Sequence, residues 1–192
     1  MERGKLIVFE GTDRTGKTTQ AKLLSEYLEG QMFSFPSRST AIGKLINETL
    51  QNTQPIDNRV LQLLFAANRY EKVAKIEKYL DNGTHVVIDQ YTAAGVVGSV
   101  VSGLNEMWAV SLNHGLPVPD LTILLDADIN LTRERAGSTK QFFESEQYEQ
   151  AMKNMYMHFA KVRKWNIINA NQSIHHVYND VKQLVSSFFS DL

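Results

Sequence analysis

From Gly11 to Thr18 the chain reads Gly-Thr-Asp-Arg-Thr-Gly-Lys-Thr, two glycines across a short loop followed by a lysine and a hydroxyl. Glycines allow the backbone to turn tightly enough to aim its N–H groups at phosphate oxygens. Lys17 adds a point charge and Thr18 a magnesium ligand, which makes this a phosphate-binding loop. Gly11, Thr15, Gly16, Lys17, Thr18 and Thr19 are the residues expected around the triphosphate of a nucleotide. A pattern with four fixed positions recurs by accident, so its surroundings decide. Leu6, Ile7, Val8 and Phe9 before it suit a buried parallel strand, and Thr18 to Leu28 after it carries apolar residues at helical spacing. Strand, loop and helix in that order put the positive end of the helix dipole on the phosphates.

The elements that must position this loop follow from periodicity. Strand-like runs recur at 5–9, 84–88, 121–125 and more weakly at 166–170, with a short one at 31–35 before Pro36. Helix-like stretches separate them, including long amphipathic segments at 56–81 and 141–164. The alternation predicts an α/β fold of three layers, with a central parallel five-stranded sheet and the first strand in its middle. Two runs end in aspartate, Asp89 and Asp126, at the carboxyl edge where such sheets collect ligands. Asp89 is the expected second metal ligand beside Thr18, and Asp126 reads as structural. Nothing repeats and nothing is of low complexity, so residues 1–192 read as one domain.

Composition narrows the chemistry. The formal net charge is −1 and no lysine- or arginine-rich run is interleaved with aromatics, so no nucleic-acid groove is expected. Cysteine is absent, which excludes disulfides, thiolate metal sites and cysteine nucleophiles. Met-Glu-Arg-Gly-Lys leads directly into the first strand, and no apolar stretch reaches membrane length. These features predict a protein of the cytosol or nucleus without a membrane partner. His85, His114, His158, His175 and His176 lack metal-ligand spacing with carboxylate support, and Met152, Met155, Met157 and Phe159 read as helix core. No nucleophile elbow occurs.

Other residues suit a small phosphorylated acceptor. Arg38 follows a proline-bounded turn, and its fork is suited to bidentate capture of a monophosphate. Phe65 and Arg69 lie four apart on one helix face, where a ring could stack on a base while the guanidinium donates to its carbonyl edge. Taken alone, Phe65, close after Leu61 and Leu64, also reads as core.

In order along the first two-thirds of the chain stand Gly4-Lys5 to Thr19-Gln20, Phe35-Pro36-Ser37-Arg38-Ser39-Thr40 with Ile42-Gly43, Leu63 to Glu71, Asp89-Gln90-Tyr91, and Gly115-Leu116-Pro117 with Pro119-Asp120-Leu121. With these strings the chain resembles the thymidylate kinases, phosphate-loop enzymes that move the γ-phosphoryl of ATP onto dTMP with Mg2+. The resemblance implies that Arg38 holds the acceptor phosphate, that Phe65 and Arg69 hold thymine, and that Phe35 walls the base pocket. It also implies that Asp13 faces the acceptor nucleotide, with Gln90 and Tyr91 beside it. Asp-Arg in the loop is similar to the eukaryotic type, in which Arg14 stabilises the transferring phosphoryl beside Lys17. Arg135 and the loop 169–173, with Asn171, match positions implied to bound adenine. A short lid near 136–148 and a homodimer on helices within 57–80 and 92–113 are implied too, with Val96, Val97, Val100 and Val101 offering an apolar run.

Departures from the family accompany these matches. The arginine expected after Asp89 is Gln90, and Ala94 and Gly98 stand where a serine and an aromatic usually lie near the base and sugar. The lid string reads Gln141-Phe142-Phe143-Glu144 with Lys140 as its cation. The expected activity is therefore ATP-dependent phosphorylation of dTMP to dTDP. A kinase of another nucleoside monophosphate, or a nucleotide-binding regulator of low turnover, stands as the alternative.

Overall fold

The computed structural model describes residues 2–51, 56–136 and 145–190. Its centre is a five-stranded, wholly parallel sheet. The strands are β1 (Leu6–Glu10), β2 (Gln31–Ser34), β3 (Val86–Asp89), β4 (Leu121–Asp126) and β5 (Asn166–Asn169), in the spatial order β2-β3-β1-β4-β5. β1 is the middle strand, with Val8 opposite Ile88 on one side and Thr122 on the other.

Burial on both faces explains why β1 reads as an unbroken apolar run. Ile7 and Phe9 point to one face, where Ala21 and Leu24 of α1 (Lys17–Tyr27) and Val177, Val181 and Val185 of α9 (Ile174–Ser190) cover them. Leu6 and Val8 point to the other and pack with Ile76 and Leu80 of α4 (Val73–Asp81). On that second face Leu124 meets Val96 and Val97 of α5 (Thr92–Val101), and Tyr156 and Phe159 of α8 (Glu146–Arg163). The three layers expected from the alternation of elements are present.

One segment, expected as a single long helix, divides into two. Residues 56–81 form α3 (Asn58–Tyr70) and α4, separated at Glu71 and Lys72. The division has a packing cause, because α3 lies against α2 (Ala41–Gln51) and α5 whereas α4 turns its apolar side onto β3. One straight helix could not serve both surfaces. Similarly, 92–113 contains α5 and α6 (Glu106–Ser111), with Gly103 at φ 81° between them and Asn105 capping α6 through Trp108 N. The remaining helix, α7 (Ile129–Ala136), is tied to α8 by Arg133, which reaches Glu149 at 2.7 Å and Glu146 at 2.9 Å. No helix among the described residues is long and apolar enough to cross a membrane.

Candidate functional site

The loop after β1 takes its shape from conformations that restrict residue choice. Gly11 has φ 140°, and a Cβ there would lie 2.6 Å from the Leu125 carbonyl oxygen of β4. Gly16 has φ 97° and stands as the N-cap of α1, so the helix begins at Lys17 with its first N–H groups turned to the loop. Arg14 is also left-handed, at φ 64°. Inside the loop the Thr12 carbonyl accepts from Thr15 Oγ1 at 3.0 Å and from Lys17 Nζ at 2.7 Å. Lys17 is buried, whereas Asp13, Thr18 and Thr19 are exposed.

Parallel pairing of β1 with β3 brings the metal-ligating candidates together. The Thr18 hydroxyl donates to Asp89 Oδ2 at 2.6 Å, and the Ser34 hydroxyl approaches the same oxygen at 3.3 Å. A hydroxyl and a carboxylate side by side are hard oxygen donors of the kind magnesium takes, with phosphate oxygens and water completing its shell. The donor set therefore fits Mg2+. Asp126, at the end of β4, instead pairs with Lys153 at 3.0 Å, in keeping with a structural role.

On the other side of β3 a second group of side chains converges. The fully buried Asn68 accepts from Ser37 N at 2.6 Å and donates from Nδ2 to Thr40 Oγ1 at 2.8 Å and Glu71 Oε2 at 2.9 Å. It thereby fixes the loop that carries Arg38, an exposed side chain whose Nη1 donates to Asn47 Oδ1. The Phe35 and Tyr91 rings lie 5.8 Å apart, both buried. Phe65 is half-buried on α3, one turn before Arg69. Arg69 is buried in turn, and burial pushes its guanidinium down to about 10, with Glu10 opposing the shift. Gly95 makes room for it, because a Cβ there would stand 3.0 Å from Arg69 Nη2. The small residues of α5 thus admit α3 of the same chain. Gln62 Oε1, Arg69 Nε, Ser99 Oγ and the Tyr91 hydroxyl are buried without partners among the described residues, along the seam of α3 and α5 and the turn leading into it. Orphaned donors and acceptors in one seam are uncommon in a finished core and are what a polar ligand would satisfy.

Arg135 and Asn171, the residues expected at adenine, both contact the chain that follows β5 or belong to it. Arg135 donates to the Arg14 carbonyl at 3.0 Å and to the Ala170 carbonyl at 3.2 Å, bridging the phosphate loop and the chain after β5. Asn171 Oδ1 accepts from Asp128 N at 2.8 Å and holds that chain against the end of β4. The lid string, with Lys140 and Gln141 to Glu144, lies outside the described residues.

Sequence reasoning missed Glu10, Asn68 and Tyr148. Glu10 is fully buried at the end of β1, and its Oε1 accepts from Tyr91 N at 3.0 Å and Ala93 N at 3.1 Å. Burial pushes its carboxyl up to about 7, against the pull of those two N–H groups, Lys17 and Arg69. A charged residue closing an apolar strand was the available signal. Asn68 stands within the string Leu63 to Glu71, and nothing in that string names its partner. Tyr148, whose phenol burial pushes up, comes beside Asp13 and Ser102 from α8, and no local pattern announces that.

A family model described as thymidylate kinase matches residues 9–181. The thymidylate kinase of Dictyostelium discoideum is 34% identical, spanning 100% of this chain and 89% of its own. That of Plasmodium falciparum is 36% identical over 96% of this chain and 91% of its own. Among solved structures, the thymidylate kinase of Candida albicans superposes with a TM-score of 0.87 at 31% identity, covering 96% of this chain and 92% of that one.

Glu10 makes stability depend on pH in a definite direction. Its carboxyl titrates near 4.5 unfolded and near 7 folded, so between those values the folded chain holds the extra proton. Stability consequently falls as pH rises through that window and is level above it. Glu10→Gln removes the dependence, and the variant should gain on the wild type by up to about 3 kcal/mol at pH 8 and by much less at pH 5. Urea midpoints at the two pH values check this. An equal offset at both would mean that Glu10 titrates normally.

Proposed function

The chain belongs to the thymidylate kinase family, and from that premise we propose that it transfers the γ-phosphoryl group of ATP to the phosphate of dTMP, giving ADP and dTDP. The observation that carries this reading is the Thr18–Asp89 pair at 2.6 Å between the phosphate loop and β3, with the Arg69 and Tyr91 side chains converging just beyond it. Loop N–H groups and Lys17 would neutralise the donor phosphates, and Gly11, Thr15, Gly16 and Thr19 would shape that cradle. Arg135 and Asn171 would bound the adenine. Thr18 and Asp89 would hold Mg2+, which supplies charge neutralisation at the donor phosphates.

On the acceptor side, Arg38 would grip the monophosphate, Phe65 would stack on thymine, and Arg69 would donate to its carbonyl edge between Phe35 and Tyr91. Burial lowers the affinity of Arg69 for its proton, and its Nε has no partner among the described residues, which supports a role toward a ligand. Asp13 would meet the acceptor nucleotide, and Arg14, held left-handed in the loop, would stabilise the charge spreading over the transferred group. Gln90 takes the same left-handed conformation at φ 64° and brings an amide where the family has a guanidinium.

A homodimer fits the same reading. Val60, Leu63, Ala67 and Tyr70 form a stripe along α3, and Val60, Leu63 and Tyr70 remain 45%, 49% and 42% exposed. Val96 and Val97, expected from sequence to face a partner, are instead buried within the chain against Tyr156 and Phe159, because α5 needs them for its own core. The α3 stripe is therefore the proposed interface. An intracellular setting, where ATP is available, accompanies this function.

Three outcomes test the proposal. Lys17→Met should abolish ADP release with dTMP while leaving the circular dichroism spectrum unchanged, since neither backbone N–H groups nor Arg14 replace the ammonium; turnover close to wild type would end the kinase reading. Gln90→Arg should raise kcat for dTMP about tenfold, equivalent to 1.4 kcal/mol at the transition state. A fall with dTMP would point to a pocket rebuilt around the amide. Sedimentation at micromolar concentration should give a dimer mass, and Leu63→Glu should give a monomer mass.

A further inference from the structure

We propose that Glu10 is a positioning residue that fixes the turn Gln90–Ala93, and through it the acceptor side of the site, to the strand that ends in the phosphate loop. This rests on the reading of that turn as acceptor-binding. Two consecutive residues of β1 hold three N–H groups of the turn. The Phe9 carbonyl accepts from Gln90 N at 2.9 Å, and Glu10 Oε1 accepts from Tyr91 N at 3.0 Å and Ala93 N at 3.1 Å.

The turn needs such a hold. Gln90 is a left-handed residue other than glycine, and Tyr91, the N-cap of α5, has φ −137° and ψ −129° with no side-chain cap of its own. Left-handed conformations in non-glycine residues persist only when their surroundings over-determine them. Glu10 supplies the missing cap from another strand, and α5 starts where its carboxylate accepts. The next residue in the chain is Gly11, so a displacement of the loop is carried to Tyr91 through one side chain. Tyr91 in turn packs on Phe35 and stands near Arg69.

The surroundings argue against a merely structural carboxylate. A buried acid is costly, and an apolar residue would be the stable choice in a strand of this kind. Lys17 from the loop side and Arg69 from α3 both act on Glu10, while Tyr156 of α8 approaches its other oxygen at 3.5 Å. The carboxylate stands between the lysine of the donor loop and the arginine of the acceptor pocket. Its placement is costly to the fold and useful to the site.

Two variants and two readouts test it. Glu10→Ala removes the acceptor for both N–H groups, whereas Glu10→Gln keeps an oxygen that can take them. In Glu10→Ala, amide hydrogen exchange at residues 90–93 should quicken at least tenfold while exchange in β4 is unchanged, and the KM for dTMP should rise at least tenfold with the KM for ATP within threefold. Glu10→Gln should restore both to within threefold of wild type, and it carries the test alone, through slow exchange at 90–93, if the alanine variant does not fold. Unchanged exchange at 90–93 in a folded Glu10→Ala, or quickened exchange in Glu10→Gln, overturns the proposal. Because exchange is read without substrate, a wild-type chain inactive on dTMP would overturn the assigned function while the exchange result still decided the role of Glu10.

Discussion

The pairing of β1 with β3 is the constraint on which the rest of the molecule depends. Parallel strands need covering on both faces, which forces the apolar composition of β1 and the placement of helices on either side. The same pairing sets Phe9 opposite Asp89, so that the loop leaving β1 and the turn leaving β3 emerge next to each other. Thr18 reaches Asp89 and Glu10 reaches Tyr91 only because that register holds. Slipping it by one residue would turn Asp89 away from the loop and send each apolar side chain of the slipped strand to the opposite face, against the wrong helices.

Charge is handled differently on the two sides of this pair. On the loop side, Lys17 is satisfied by a backbone carbonyl and the helix end presents N–H groups, an arrangement suited to a multiply charged ligand. On the other side, Arg69 is buried beside Gly95, and its Nε and further polar atoms of the α3–α5 seam have no partner among the described residues. Such a seam is expensive in the absence of a ligand and specific in its presence. The small Gly95 of α5 is what lets this seam exist within one chain.

Much of this was legible in the sequence because it depends on local signals. The loop is encoded by two glycines in conformations few other residues adopt, and the strands by apolar runs whose burial on both faces erases polar alternation. Asp89 was recognisable because it ends such a run. What escaped were contacts between residues far apart in the chain. Glu10 with Tyr91 and Asn68 with Ser37 join different elements, and a polar residue in an apolar or amphipathic stretch gives no hint of its partner. The division of 56–81 was hidden for the same reason, since both halves keep one helical period and only their different packing surfaces separate them.

Adjacent strands in a sheet lie about 4.8 Å apart, a spacing set by backbone hydrogen bonds and indifferent to side chains. With the loop on one strand and the turn on its neighbour, the sheet works as a gauge block for the groups that leave it. Tilting a helix or opening a loop by several ångströms leaves that interval unaltered. Drift in surface sequence could therefore remodel what each side grips, while the separation between the two grips would stay calibrated by the spacing of paired strands.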